Sequence, residues 1–135
     1  YLNEIGHEVS LYGRETSAKM QKLIVTRENE YLQLDDSVQL ITDLKEIEKA
    51  EYIIISVPAQ KLQDVVNELN AHKIENKTIV LCMKGIEIAT GRRLSQVVSD
   101  GLKKNNSVAV WLGPGHVEEF YSFAENGIDK METKH

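Results

Sequence analysis

The sequence is short of several things, and each shortage narrows the reading. It holds one cysteine, Cys82, among 135 residues. An internal disulfide is therefore excluded, and a reducing, cytoplasmic setting is the default expectation. It has no surplus of basic charge: 16 Lys and Arg stand against 21 Asp and Glu, for a net charge of −5. Nucleic-acid binders ordinarily carry the opposite balance, so no nucleic-acid partner is expected. No apolar run approaches the ~20 residues needed to cross a bilayer, so no membrane span is expected. No charged segment followed by an apolar one marks a signal peptide. His, Cys, Asp and Glu nowhere fall at metal-ligand spacing, so no metal is expected, and no order of Ser, His and Asp argues for a nucleophilic triad. Internal repeats and low-complexity stretches are also missing.

What is present is a chain with 41% hydrophobic residues, enough for one domain with a core and too short for two. Short apolar runs alternate with amphipathic stretches. The runs at 9–12, 38–41, 52–57, 78–83 and 107–112 read as strands. The last three are nearly continuous and rich in β-branched residues, the pattern of strands buried on both faces of a parallel sheet. Between them, 16–25, 44–49, 61–70 and 91–103 read as helices. Thr16 or Ser17 can cap the first and Asp43 the second. Leu62, Val65, Val66 and Leu69 fall on one helix face, as do Leu94, Val97, Val98 and Leu102. Alternation of this kind predicts an α/β fold with a Rossmann-like, doubly wound parallel sheet.

Residues 1–8 read as the tail of a helix ended by Gly6, with Leu2 and Ile5 on one face. The first strand–helix unit of a nucleotide-binding α/β fold carries a Gly-rich turn. No G-x-G-x-x-G occurs in the 135 residues, so that unit is expected to be incomplete.

Ligands in open α/β sheets bind outside the carboxyl ends of the strands, which picks out four segments. Arg14 and Glu15 end the first visible strand, where an acid can accept from ribose hydroxyls and an arginine can hold a 2′-phosphate. Val57 and Pro58 stop the third run abruptly. Lys84 follows the fourth; its ammonium can pair with a phosphate or polarise a carbonyl oxygen, and Gly85 lets backbone approach a ligand. Gly113, Pro114, Gly115 and His116 close the fifth, where backbone N–H groups at the start of a following helix would suit an anion.

These segments occur in the order and spacing of one family. The chain, from Tyr1 to about Phe120, resembles the N-terminal domain of bacterial NAD(P)-dependent glycerol-3-phosphate dehydrogenase. The resemblance rests on Gly6 to Arg14, Thr42-Asp43-Leu44, Ala50 to Gln60, Lys84-Gly85-Ile86-Glu87 and Gly113 to Glu119. It implies reduction of dihydroxyacetone phosphate to sn-glycerol 3-phosphate by NADH or NADPH, for glycerophospholipid synthesis. It also implies roles. Lys84 would touch both cofactor and substrate and act in catalysis. Arg14, Val57, Pro58 and Val117 would bind cofactor, and Gly113 and Gly115 substrate. Many members carry Ser where Gly115 stands. Residues 121–135 no longer look like the family and read as an irregular tail. The family's helical substrate domain, with its general acid/base lysine, is not in the sequence, so the polypeptide alone is expected to be inactive. The uncovered sheet centre invites association, which leaves a homo-oligomer open. Two other readings stay beside this one: a non-catalytic nucleotide-binding module, and a fragment of another Rossmann-type dehydrogenase such as a ketopantoate reductase.

Overall fold

A computed structural model describes residues 1–112 of the chain. The element order is β1 (Ser10–Tyr12), α1 (Ala18–Thr26), β2 (Gln39–Ile41), a 3-10 helix (Leu44–Lys49), β3 (Tyr52–Ile55), a 3-10 turn (Ala59–Lys61), α2 (Leu62–Asn70), β4 (Thr78–Leu81), α3 (Leu94–Gly101) and β5 (Ser107–Val110). Strand and helix alternate as the sequence predicts, and every strand pairing is parallel.

The strands do not form one ladder. β1 pairs with β2, while β3, β4 and β5 form a second sheet in that order. Each sheet steps outward from one strand, β1 in the first and β3 in the second. A doubly wound sheet has this arrangement on either side of its central strand. Among the described residues no segment pairs with the free edge of β1 or of β3, the interruption expected of a doubly wound sheet whose first strand–helix unit is incomplete.

The core belongs to the second sheet. Ile53, Ile55, Ile79 and Leu81 point to one face and meet Leu62, Val66 and Leu69 of α2 and Leu94, Val97 and Val98 of α3, with Ile74 and Leu102 closing the ends. This is the apolar stripe that the helix periodicity predicts. Among the described residues no helix covers the opposite face, where Tyr52 is 60% and Ile54 46% exposed. The expectation of burial on both faces therefore fails among the described residues, because α2 and α3 pack on the same side. Outside this cluster, among the described residues, only Met20 and Val38 are buried hydrophobics.

The ends of the elements follow local chemistry. Ser17 caps α1 by accepting from the Met20 N–H, and Asp43 caps the 3-10 helix by accepting from Lys45 N–H. Six residues there wind as 3-10 rather than α. At the amino end, His7 N–H donates to Leu2 O and Gly6 N–H to Asn3 O, with Gly6 at φ +96°. That is the paired hydrogen bonding of a helix terminus closed by glycine, as residues 1–8 predict, although the segment itself is a single turn. α3 starts three residues later than Gly91. Gly91 sits at φ +69° in a tight turn, outside right-handed helical space, and Ile86 bridges antiparallel to Arg93 just before the helix. No helix among the described residues is long and apolar enough to cross a membrane.

Candidate functional site

Parallel pairing in register brings Ile55, Leu81 and Val110 side by side. The segments after β3, β4 and β5 therefore leave the sheet at one end. Cys82 N–H extends the ladder to Ile55 O at 3.0 Å, and Trp111 N–H to Leu81 O at 2.8 Å. Val57 and Pro58 follow β3, and Met83 and Lys84 follow β4, at this same end. Val57 and Met83 are half-buried and pack on the core, whereas Pro58 and Lys84 are exposed.

The loop carrying Lys84 is held from two sides. Gly85 takes φ +121°, which side-chain-bearing residues rarely adopt, and a β-carbon there would touch Ala59 at 3.5 Å. From the β3 side, the Gln60 amide donates to Ile86 O at 2.9 Å and accepts from Ile88 N–H at 3.0 Å. From the helix side, Glu87 is a buried carboxylate, 8% exposed. It accepts from the Thr90 hydroxyl and from Arg92 Nε and Nη2, the latter at 3.1 Å. Arg92 reaches on to Gln63 Oε1 of α2 and Asp100 of α3. Two of the neighbouring basic groups are thus engaged: Lys61 with Asp64, and Arg92 with Glu87 and Asp100. Among the described residues no ion pair involves Lys84.

The Thr90 hydroxyl holds the Glu87 carboxyl below its ordinary value of 4.5; burial opposes this, and Arg92 adds to it. A carboxyl whose pKa is depressed on folding contributes stability at pH above its unfolded value. That contribution is lost as pH falls through the folded value. Acid should therefore loosen the 86–93 loop at pH below 4.5. Glu87→Gln is expected to flatten the acid limb of a plot of denaturation midpoint against pH; identical limbs for the two proteins would refute the assignment.

Sequence reasoning picks out Lys84 and Pro58 but gives no role to Gln60, Gln63, Thr90 or Arg92. The available signal is an acid at 87 followed by hydroxyl and guanidinium partners three and five positions on. The Gln60 contact, 26 residues distant, leaves no such trace.

Arg14 is placed elsewhere. It ends β1, where Gly13 N–H continues the ladder to Ile41 O, but its guanidinium pairs with Glu68. Glu68 lies six residues into α2 from Leu62, about 9 Å along the helix and away from the end of β3. Val57, Pro58 and Lys84 thus leave the sheet at one end, while the Arg14 guanidinium is turned to α2. Both partners are substantially exposed, at 61% and 40%, so the pair itself contributes little. Gly113, Gly115 and Val117 lie outside the described residues, as does the tail 121–135.

The comparisons with known proteins decide the family. Residues 1–124 match the model of the NAD-dependent glycerol-3-phosphate dehydrogenase N-terminus. The chain belongs to this family. A glycerol-3-phosphate dehydrogenase [NAD(P)+] of Thermoanaerobacter sp. (strain X514) is 33% identical over 123 residues, covering 88% of this chain and 36% of the relative. One of Clostridium botulinum (strain Alaska E43 / Type E3) is 35% identical, covering 87% and 36%. The chain spans about a third of the length of these curated relatives. The fold matches the crystal structure of glycerol-3-phosphate dehydrogenase from Coxiella burnetii with a TM-score of 0.77 at 21% identity, covering 99% of this chain and 45% of that one. The resemblance drawn from Gly6–Arg14, Ala50–Gln60 and Lys84–Glu87 thus holds, and so does the Rossmann-type class. The family's cofactor is NAD or NADP. The exposed Pro58 and Lys84 at the carboxyl ends of β3 and β4 have the chemistry to meet such a cofactor, whereas the Arg14 guanidinium is paired with Glu68.

Proposed function

We propose that the chain is the cofactor-binding part of an oxidoreductase that reduces dihydroxyacetone phosphate to sn-glycerol 3-phosphate, the backbone of glycerophospholipids. The observation that carries this reading is the exposed Lys84 ammonium at the carboxyl end of β4, beside the Val57–Pro58 turn ending β3, in a chain of this family. When bound, the reduced nicotinamide supplies the hydride. Val57 and Pro58 offer an apolar wall against which a flat ring can rest. Lys84 faces the carbonyl oxygen and stabilises the negative charge that grows on it as the carbon is reduced. Gly113 and Gly115 bind the substrate through backbone N–H groups, Val117 touches cofactor, and Arg14, freed from Glu68, serves the adenosine ribose.

Substrate phosphate and the final proton are handled by segments beyond these 135 residues, in keeping with the third of its relatives' length that the chain covers. A parallel strand bearing the Gly-rich turn completes the sheet between β1 and β3. The 135 residues by themselves are inactive on this reading.

The test is NADH and NADPH oxidation by the complete gene product carrying this chain, with dihydroxyacetone phosphate and with ketopantoate. Turnover is expected with the first only; turnover with ketopantoate alone would replace this reading with its rival. The 135-residue chain, titrated with NADH by energy transfer from Trp111, should bind weakly. Nanomolar binding would contradict the need for the missing Gly-rich turn.

A further inference from the structure

We infer that Gln60 is a positioning residue for Lys84, its side-chain amide fixing the loop from which the lysine projects; the inference rests on the reading of Lys84 given above. The amide reaches from the turn after β3 to the loop after β4 and makes two hydrogen bonds, donating to Ile86 O at 2.9 Å and accepting from Ile88 N–H at 3.0 Å. It serves this loop as a neighbouring strand would. The loop needs such a partner: beyond Cys82 the backbone has left the sheet ladder, and Gly85 at φ +121° has no side chain to restrain it. Behind it, Glu87 N–H donates to Arg92 O at 3.0 Å and Gly91 N–H to Glu87 O at 2.7 Å. The Glu87–Arg92 pair ties that turn to Gln63 of α2 and Asp100 of α3. One side of the loop is therefore anchored to the helices and the other to Gln60.

Gln60 is exposed, and its two bonds go to backbone rather than to the core. Its loss should spare the fold and move the loop. Lys84 lies two residues from Ile86, so a shift of the order of 1 Å in the loop carries directly to the ammonium. A displacement of that size costs about 10²-fold when a group acts on a reacting atom.

The experiment uses the complete protein carrying this chain. Gln60→Ala should lower kcat between tenfold and a hundredfold while KM for NADH changes less, because Lys84 acts most strongly on the developing oxyanion. Amide exchange at Ile88 should quicken in this variant and stay unchanged at Leu81. Gln60→Glu provides a pH-dependent rescue. An ionised carboxylate cannot donate to Ile86 O, whereas the protonated acid can donate there and still accept from Ile88. Its kcat relative to the parent should therefore rise as pH is lowered toward the ordinary glutamate pKa of about 4.3. A kcat within twofold of the parent for Gln60→Ala, or rapid Ile88 exchange in the parent, overturns the inference. Lys84→Ala, run alongside, separates the two ideas. If Lys84→Ala is impaired and Gln60→Ala is not, the positioning role alone is lost. If Lys84→Ala is unimpaired, the reading of Lys84 falls and the positioning role with it.

Discussion

Lys84→Ala in the complete dehydrogenase is expected to lower kcat/KM about 10²-fold or more, roughly 2.7 kcal/mol of lost transition-state stabilisation. The geometry explains the size. Lys84 leaves β4 at the end where β3 and β5 also terminate, it is exposed, and the neighbouring cations Lys61 and Arg92 are held by Asp64, Glu87 and Asp100. Lys61 and Arg92 are therefore not free to substitute for it. The fall should appear mainly in kcat, since charge on the carbonyl oxygen grows only as the hydride arrives. Lys84→Arg should recover part of the loss at most, because a planar guanidinium does not present its charge as a compact ammonium does. Steady-state kinetics with dihydroxyacetone phosphate decide the point, and an unchanged kcat/KM would remove Lys84 from the site.

The second large effect concerns stability. Gly101→Ala is expected to destabilise the protein by about 1–3 kcal/mol, although alanine is the better helix former by about 1 kcal/mol. Gly101 ends α3 where it crosses α2, and a β-carbon there would run into Val66 Cγ1. Val66 is 1% exposed and β-branched, so it has neither space nor an alternative rotamer within a helix. The clash should therefore outweigh the propensity gain. Denaturant midpoints of Gly101→Ala, Val66→Ala and the double variant test this. The double variant should lose less than the two single losses together, because removing the Val66 methyls makes room for the new one. A Gly101→Ala midpoint equal to or above the parent would refute the packing account.

The parts of this fold legible in sequence are those set by periodicity and by local capping. The stripe of Leu62, Val66 and Leu69 and that of Leu94, Val97 and Val98 were readable because burial repeats at helical spacing. Ser17, Asp43 and Gly6 were readable because their partners lie within five residues. The start of α3 was misplaced because Gly91 and Arg92 join a turn whose organiser, Glu87, is buried by tertiary contacts. Pattern alone likewise could not show that Tyr52 and Ile54 lack cover, since an apolar run does not say how many helices will lie over it. For the site, strand ends pointed to Lys84 and Pro58. The Gln60 amide and the Arg14–Glu68 pair depend on contacts 26 and 54 residues apart, with no local trace.

The single apolar cluster spanning Ile53 to Leu102 gives the chain an uneven folding landscape. The β3–α2–β4–α3–β5 succession joins near neighbours in sequence, so its loops close cheaply and it can form as a cooperative unit of its own. Residues 1–41 contribute only Met20 and Val38 as buried hydrophobics, whereas Leu44, Ile47 and Ala50 already pack half-buried on the cluster. Residues 1–41 should open and reclose many times within one lifetime of the cluster, so amide exchange in the half with Arg14 should outpace that in the core strands β3 and β4.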